Sequence, residues 1–157
     1  MICFDSGENR FNFRVAGVAI NNGKILLHKT VKDDFWALPG GRNELLEFTK
    51  DTIVREMREE LNEEVTIDRL LWVVENFFEF DNKKYHEISF CYLMKFDEES
   101  SILDQKEGFL GVEEDVKLIF QWFDIADIDN IIVYPTFIKD KIKALSNNIE
   151  HIMHIGD

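Results

Sequence analysis

The sequence predicts an α/β chain of the α+β kind: a mixed, largely antiparallel sheet with helices on both faces. Three features carry that expectation. Two apolar strands meet at a tight turn near the start, one strongly amphipathic helix follows, and two long runs of β-branched and aromatic residues then face each other across a short polar turn. The chain has 157 residues, is 45% hydrophobic and carries 14 Phe. That is enough for one sizeable core, so a single domain spanning residues 1–157 is expected.

Taken in order, Phe13 to Ile20 (FRVAGVAI) and Lys24 to Thr30 (KILLHKT) read as strands. Asn21 to Gly23 joins them, since Asn and Gly tolerate the positive φ of a tight hairpin. A loop with paired glycines, Asp33 to Phe48, leads to a helix over Thr49 to Leu61, with Thr49 as its expected N-cap. The helix stops near Asn62. Val65 to Phe80 and Tyr85 to Phe96 should pair antiparallel around Asp81 to Lys84, with His86, Ile88, Phe90, Tyr92, Met94 and Phe96 sharing one face. Asp97 to Asp115 is polar and reads as either a lid or a mobile acidic loop. A strand over Val116 to Phe123 and a helix over Thr136 to Asn147 follow, and the last ten residues are too short and ambiguous to place.

Charge narrows the function. Lys and Arg number 18 against 31 Asp and Glu, a formal net charge of −13, and a field of that sign repels long nucleic acids and acidic membrane surfaces. Neither is an expected partner. The N-terminal MICFDSGENRF lacks a basic stretch followed by an apolar core, and no apolar run approaches the roughly 20 residues that span a bilayer. A cytoplasmic location is the expectation. Cys3 and Cys91 have no metal-type spacing and are expected to be reduced thiols without chemistry.

The stretch Arg55 to Val65 (REMREELNEEV) crowds its acids together. At about 100° per residue, Glu56, Glu59, Glu60 and Glu63 fall within an arc of roughly 100°, beside an inward stripe of Ile53, Val54, Met57 and Leu61. Like charges at these spacings cost roughly 0.2–0.5 kcal/mol per pair, and acids near a helix C-terminus cost roughly 0.3–1 kcal/mol each. The cluster reads either as a solvated acidic face or as a site for a hard divalent cation, which takes carboxylate and carbonyl oxygens and shares its remaining positions with water and phosphate.

The flanking residues match a larger pattern. Gly41, Glu47, Arg55, Glu56, Met57, Glu59 and Glu60 are spaced as in G-x5-E-x7-R-E-U-x-E-E-x-G-U, where U is a bulky aliphatic. This segment, Gly41 to Glu63, resembles the signature box of the Nudix hydrolase family. Asn62 stands where the family has Gly, and Glu63 where it has an aliphatic. Asn suits a left-handed helix end nearly as well as Gly; Glu63 either cedes its packing role to Val65 or points to solvent.

The resemblance implies an α/β/α sandwich and a hydrolase acting on phosphorus-containing acid anhydrides. The implied reaction is Mg²⁺-dependent, with Mn²⁺ as the other ion. It cleaves the diphosphate of nucleoside diphosphates linked to another group: nucleoside triphosphates, or nucleotide sugars such as ADP-ribose. By position, Glu56, Glu59 and Glu60 with the Gly40 carbonyl resemble the metal ligands. Glu56, Glu59 and Arg55 resemble the catalytic set, with Gly41 and Glu47 in support and Glu47 paired to Arg55. Glu56 is the first candidate for general base; Glu113, Glu114 and Asp115 are the others. Arg14 and Arg42 are candidates to bind substrate, with Lys29, His28 and His86 behind them. Phe35, Trp36, Phe78 and Tyr85 are candidates to stack a base. The expected partner is a small-molecule nucleotide, with a homodimer left open. The rival readings are a noncatalytic Nudix-like module that senses a nucleotide and an acidic-stripe protein that docks a basic partner.

Overall fold

The computed structural model describes residues 1–156. In chain order the strands are β1 (Cys3–Ser6), β2 (Asn9–Asn21), β3 (Lys24–Thr30), β4 (Gly40–Arg42), β5 (Val65–Phe80), β6 (Lys83–Phe96), β7 (Phe109–Leu110), β8 (Leu118–Asp124) and β9 (Glu150–Ile155). Helix α1 (Thr49–Leu61) lies between β4 and β5, and α2 (Ile138–Lys141) between β8 and β9.

Turn chemistry sets the registers. Asn22 and Gly23 have φ of 52° and 73°, and Asp81 and Asn82 have 50° and 61°; paired left-handed residues make the two-residue hairpins whose twist matches their strands. Hence Asn21 pairs with Lys24 and Phe80 with Lys83. The sheet runs β7-β8-β3-β2-β6-β5-β9. β2 runs parallel to β6, and β9 parallel to β5; the remaining pairs are antiparallel.

The sheet separates two apolar layers. On one side α1 sets Ile53 and Met57 against Val15, Met94 and Phe120. On the other, Trp72, Val18 and Leu27 pack with Ile128, Ile138 and Ile142. Each fully buried large side chain contributes roughly 1.5–3 kcal/mol. This is the mixed sheet between helical layers that the sequence predicts. No helix among the described residues is long and apolar enough to cross a membrane.

Several details differ from the sequence reading. The N-cap of α1 is Phe48, not Thr49, whose hydroxyl is instead bonded to Tyr92 Oη at 2.6 Å. The expected helix over residues 136–147 shrinks to α2 plus turns, because Ile138 and Ile142 bury one helical turn and the Ser146 carbonyl is then taken by Arg69 at 2.7 Å. The stretch from 97 to 115 is partly ordered: Ile102 is buried in a 3-10 turn capped by Ser100, its carbonyl accepts from Trp122 Nε1 at 2.9 Å, and β7 joins β8. The unplaced C-terminal residues form β9, with Asp157 outside the described residues, and β1 is an N-terminal strand that the sequence reading omitted.

Candidate active site

Helix α1 grades its acids by depth. Glu60 is 5% exposed, while the side chains of Glu56 and Glu59 are 13% and 47% exposed. Glu63 is not on the helix at all. Asn62 turns left-handed at φ 55°, ψ 37°, its N–H donates to the Arg58 carbonyl, and Glu63 leaves in a new direction.

Arg55 ties the preceding loop to the acids. Its Nε donates to Glu47 Oε2 at 2.8 Å and its Nη2 to Glu47 Oε1 at 3.1 Å, a two-point ion pair. Nη2 also donates to the Arg42 carbonyl at 3.1 Å, and Nη1 reaches Glu56 at 2.9 Å and Glu59 at 3.3 Å. Arg55 first, then Thr52 and the Glu44 amide, hold the Glu47 carboxyl down to about 2. Asn43, buried, donates to Thr52 Oγ1 and the Glu47 carbonyl, so the loop conformation is set from both sides. Gly41 has no room for a side chain, since a Cβ there would stand 2.2 Å from the Glu56 carboxyl carbon. At Gly40 a Cβ would stand 2.1 Å from the Val15 carbonyl.

The carboxylates are short of positive charge. Burial raises the Glu56 pKa against the pull of Arg55. Glu60 is pushed up to about 9, by burial first, then by Glu56, with Glu113 adding to it. Glu60 Oε2 is buried without a hydrogen-bond partner. Glu113 comes near because the Val112 amide donates to the Glu60 carbonyl at 2.7 Å. An orphaned, buried carboxyl oxygen beside a second, partly buried carboxylate is the environment a hard divalent cation relieves, so the donors fit one. They are not gathered in advance: among the described residues, no three His, Cys, Asp or Glu side chains form a ready metal-binding group. Glu59 turns to Arg55 instead.

Beside this end of the sheet lies a cleft of about 370 Å³. Arg14 links the two, lining the cleft, donating to the Leu38 carbonyl at 2.8 Å and lowering the pKa of both Glu56 and Glu60. Lys29 lines it too, its ammonium 5.1 Å from the Trp36 ring. His28 lines it as a neutral imidazole, pushed down to about 3 by burial and then by Arg14. Of the stacking candidates, Phe35, Phe78 and Tyr85 reach the cleft, whereas Trp36 packs against Phe123. Arg42 lies outside its lining and donates to Asn12 Oδ1 at 2.6 Å; His86 packs between Phe11 and Phe77. The sequence reading missed Asn76, Glu87, Tyr134 and His154, all of which line the cleft. The alternation of Tyr85, Glu87 and Ser89 along β6 was the available signal for Glu87.

The NUDIX domain model matches residues 11–145. Among solved structures the chain is similar to a UDP-X diphosphatase, at 22% identity over 90% of this chain and 66% of that one, just under two thirds of its length, with a TM-score of 0.63. It is similar to an ADP-ribose pyrophosphatase from Streptococcus suis, at 16% identity over 90% and 98% of the two chains, TM-score 0.59. It also resembles a MutT NUDIX hydrolase from Burkholderia pseudomallei, at 25% identity over 82% and 95%, TM-score 0.58. No curated protein matches the sequence.

Proposed function

Because the chain belongs to the NUDIX family, we propose that it is a hydrolase acting on phosphorus-containing acid anhydrides and that it cleaves the diphosphate of a nucleoside diphosphate linked to another group. Nucleoside triphosphates and nucleotide sugars are the substrate classes. The reaction uses Mg²⁺ or Mn²⁺ held by Glu56, Glu60 and Glu59 with the Gly40 carbonyl, in a single cytoplasmic domain. Glu60 carries this reading: a carboxyl 5% exposed, with one oxygen unpartnered and a second carboxylate beside it, is a poor structural element and a good cation ligand. The kinship with diphosphate-cleaving enzymes supports the substrate class.

When bound, the cation supplies charge neutralisation at the phosphate oxygens and a lower pKa for the attacking water. The chain's own residues do the rest. Arg55 fixes Glu56 and Glu59 through Nη1 while its other edge is locked to Glu47, so the acids keep their orientation. Glu56, deeply placed and with a raised pKa, accepts the proton of the water. Glu113, carried to Glu60 by the Val112 amide, is the second candidate for that role. Arg14 bridges cleft and carboxylates and meets the phosphate that is not attacked.

A panel of nucleoside diphosphate derivatives, incubated with Mg²⁺ or Mn²⁺ and assayed for mononucleotide, tests this directly. At least one class should be hydrolysed and chelator should abolish turnover. Ligand binding with no hydrolysis across the panel would favour a sensing module instead.

A further inference from the structure

Three rows of side chains cross the sheet beneath the cleft. Phe78 pairs with Tyr85 and Asn76 with Glu87, both rows lining the cleft, and Val74 pairs with Ser89 one step further in. Ser89 is in register with Arg14 on β2. Each step is roughly 6–7 Å along a strand face, so the aromatic row lies about 13 Å from the row of Arg14, a nucleoside's length away.

Glu87 is the unusual residue in this floor. It is 6% exposed. Its Oε2 accepts from Asn12 Nδ2 at 2.8 Å and its Oε1 from Ser89 Oγ at 3.1 Å. No cation among the described residues forms an ion pair with it. A carboxylate has about four acceptor positions, so two neutral donors leave about half of them open. A buried anion without a cation is costly unless further donors reach it. Around it stand rings with free surface: Phe80 and Tyr134 are 44% and 45% exposed. Glu87 stands in the middle row, one step from Tyr85 and one step from the row of Arg14, and the lining's other acids are Glu79 on β5 and Asp33 in the loop after β3. The row of Phe78 and Tyr85 holds neither of the lining's cations, Arg14 and Lys29, and suits a planar, neutral group whose hydrogen-bond-donating edge reaches Glu87.

We propose that the aromatic end of the cleft binds a nucleobase through an exocyclic amino group donated to Glu87, so the protein selects adenine, guanine or cytosine over uracil. Uracil has no amino group; its ring N–H can donate to a carboxylate, but the carbonyl oxygen on each side of it turns lone pairs toward Glu87 and weakens that contact. A site built to accept an amino donor binds more weakly a base that brings carbonyl lone pairs against its buried carboxylate. This inference rests on the reading of the chain as a nucleotide hydrolase and adds to it a rule for the base.

Calorimetric binding of AMP, GMP, CMP and UMP tests it without turnover. At least one amino-bearing nucleotide should bind about tenfold or more tighter than UMP, the discrimination one good base contact gives. Glu87→Gln, whose amide can donate to a carbonyl, should narrow that ratio below about threefold. Ser89→Ala, a milder change that frees one side of Glu87, should narrow it partly. Equal or tighter binding of UMP, no binding of any of the four, or an unchanged ratio in folded Glu87→Gln would overturn the proposal. Base-dependent binding with no hydrolysis of any diphosphate derivative would overturn the proposed activity and leave this inference standing. Hydrolysis with uridine bound as tightly as adenosine would do the reverse.

Discussion

Glu60 and Gly41 bear opposite kinds of constraint. Glu60 is placed to offer its carboxylate to a cation, so Glu60→Gln should lower Mg²⁺-dependent hydrolysis by roughly 100-fold or more, the several kcal/mol a metal contributes. The same variant should stabilise the metal-free protein at pH 8 by roughly 1–3 kcal/mol, since Glu60, pushed up to about 9, must take up a proton on folding at that pH and an amide need not. Turnover assays paired with thermal melts in chelator read both effects. Gly41→Ala should act through geometry alone: its Cβ would stand 2.2 Å from the Glu56 carboxyl carbon. A displaced Glu56 should cost roughly 10–100-fold in kcat, with far less change in thermal stability. At this scale much was legible, because Glu47, Arg55 and the glutamates keep fixed spacings along one helix and its loop. Glu87 and Asn76 were not, since their meeting depends on the register of β5 with β6 and on what covers that face.

The elements show the same division. Both hairpins were readable because Asn22–Gly23 and Asp81–Asn82 take positive φ whatever surrounds them. Helix α1 was readable because its apolar positions recur at helical spacing. β9 was not: its residues alternate between intermediate and exposed, and only β5 supplies a partner, running parallel to it. α2 was overestimated because the Ile138 and Ile142 spacing continues for a single turn. The Asn62 helix end gives a test at this scale. Asn62→Gly should be neutral or stabilising by a few tenths of a kcal/mol, while Asn62→Val should cost about 1–2 kcal/mol, because a β-branched residue resists the left-handed conformation. Chemical denaturation of the two variants would measure this, and equal stabilities would remove the end of α1 from the account.

For the whole molecule, two carboxyls pull stability in opposite directions with pH. Glu60 titrates at about 9 when folded, against an ordinary value of 4.5. The folded state therefore binds its proton more tightly, and the stability of the metal-free protein falls as pH rises from about 4.5 towards 9. Glu47 is held down to about 2, so its contribution is present above about 4.5 and lost as pH falls through 2. Melts in chelator across that range should peak on the mildly acidic side, and Mg²⁺ should flatten the alkaline decline. A net charge of −13 adds to the need for a cation, because the bare acidic end repels a phosphate-bearing substrate as well as itself.

The central claim is that α1 and its loop hold a divalent cation at Glu56 and Glu60. Electron paramagnetic resonance of Mn²⁺ titrated into the protein at pH 8 tests it most directly. Wild-type protein should take up Mn²⁺ in competition with Mg²⁺, and Glu60→Gln should bind it more weakly by a factor of at least about 10. No uptake by the wild type, or equal uptake by the folded variant, would contradict the claim.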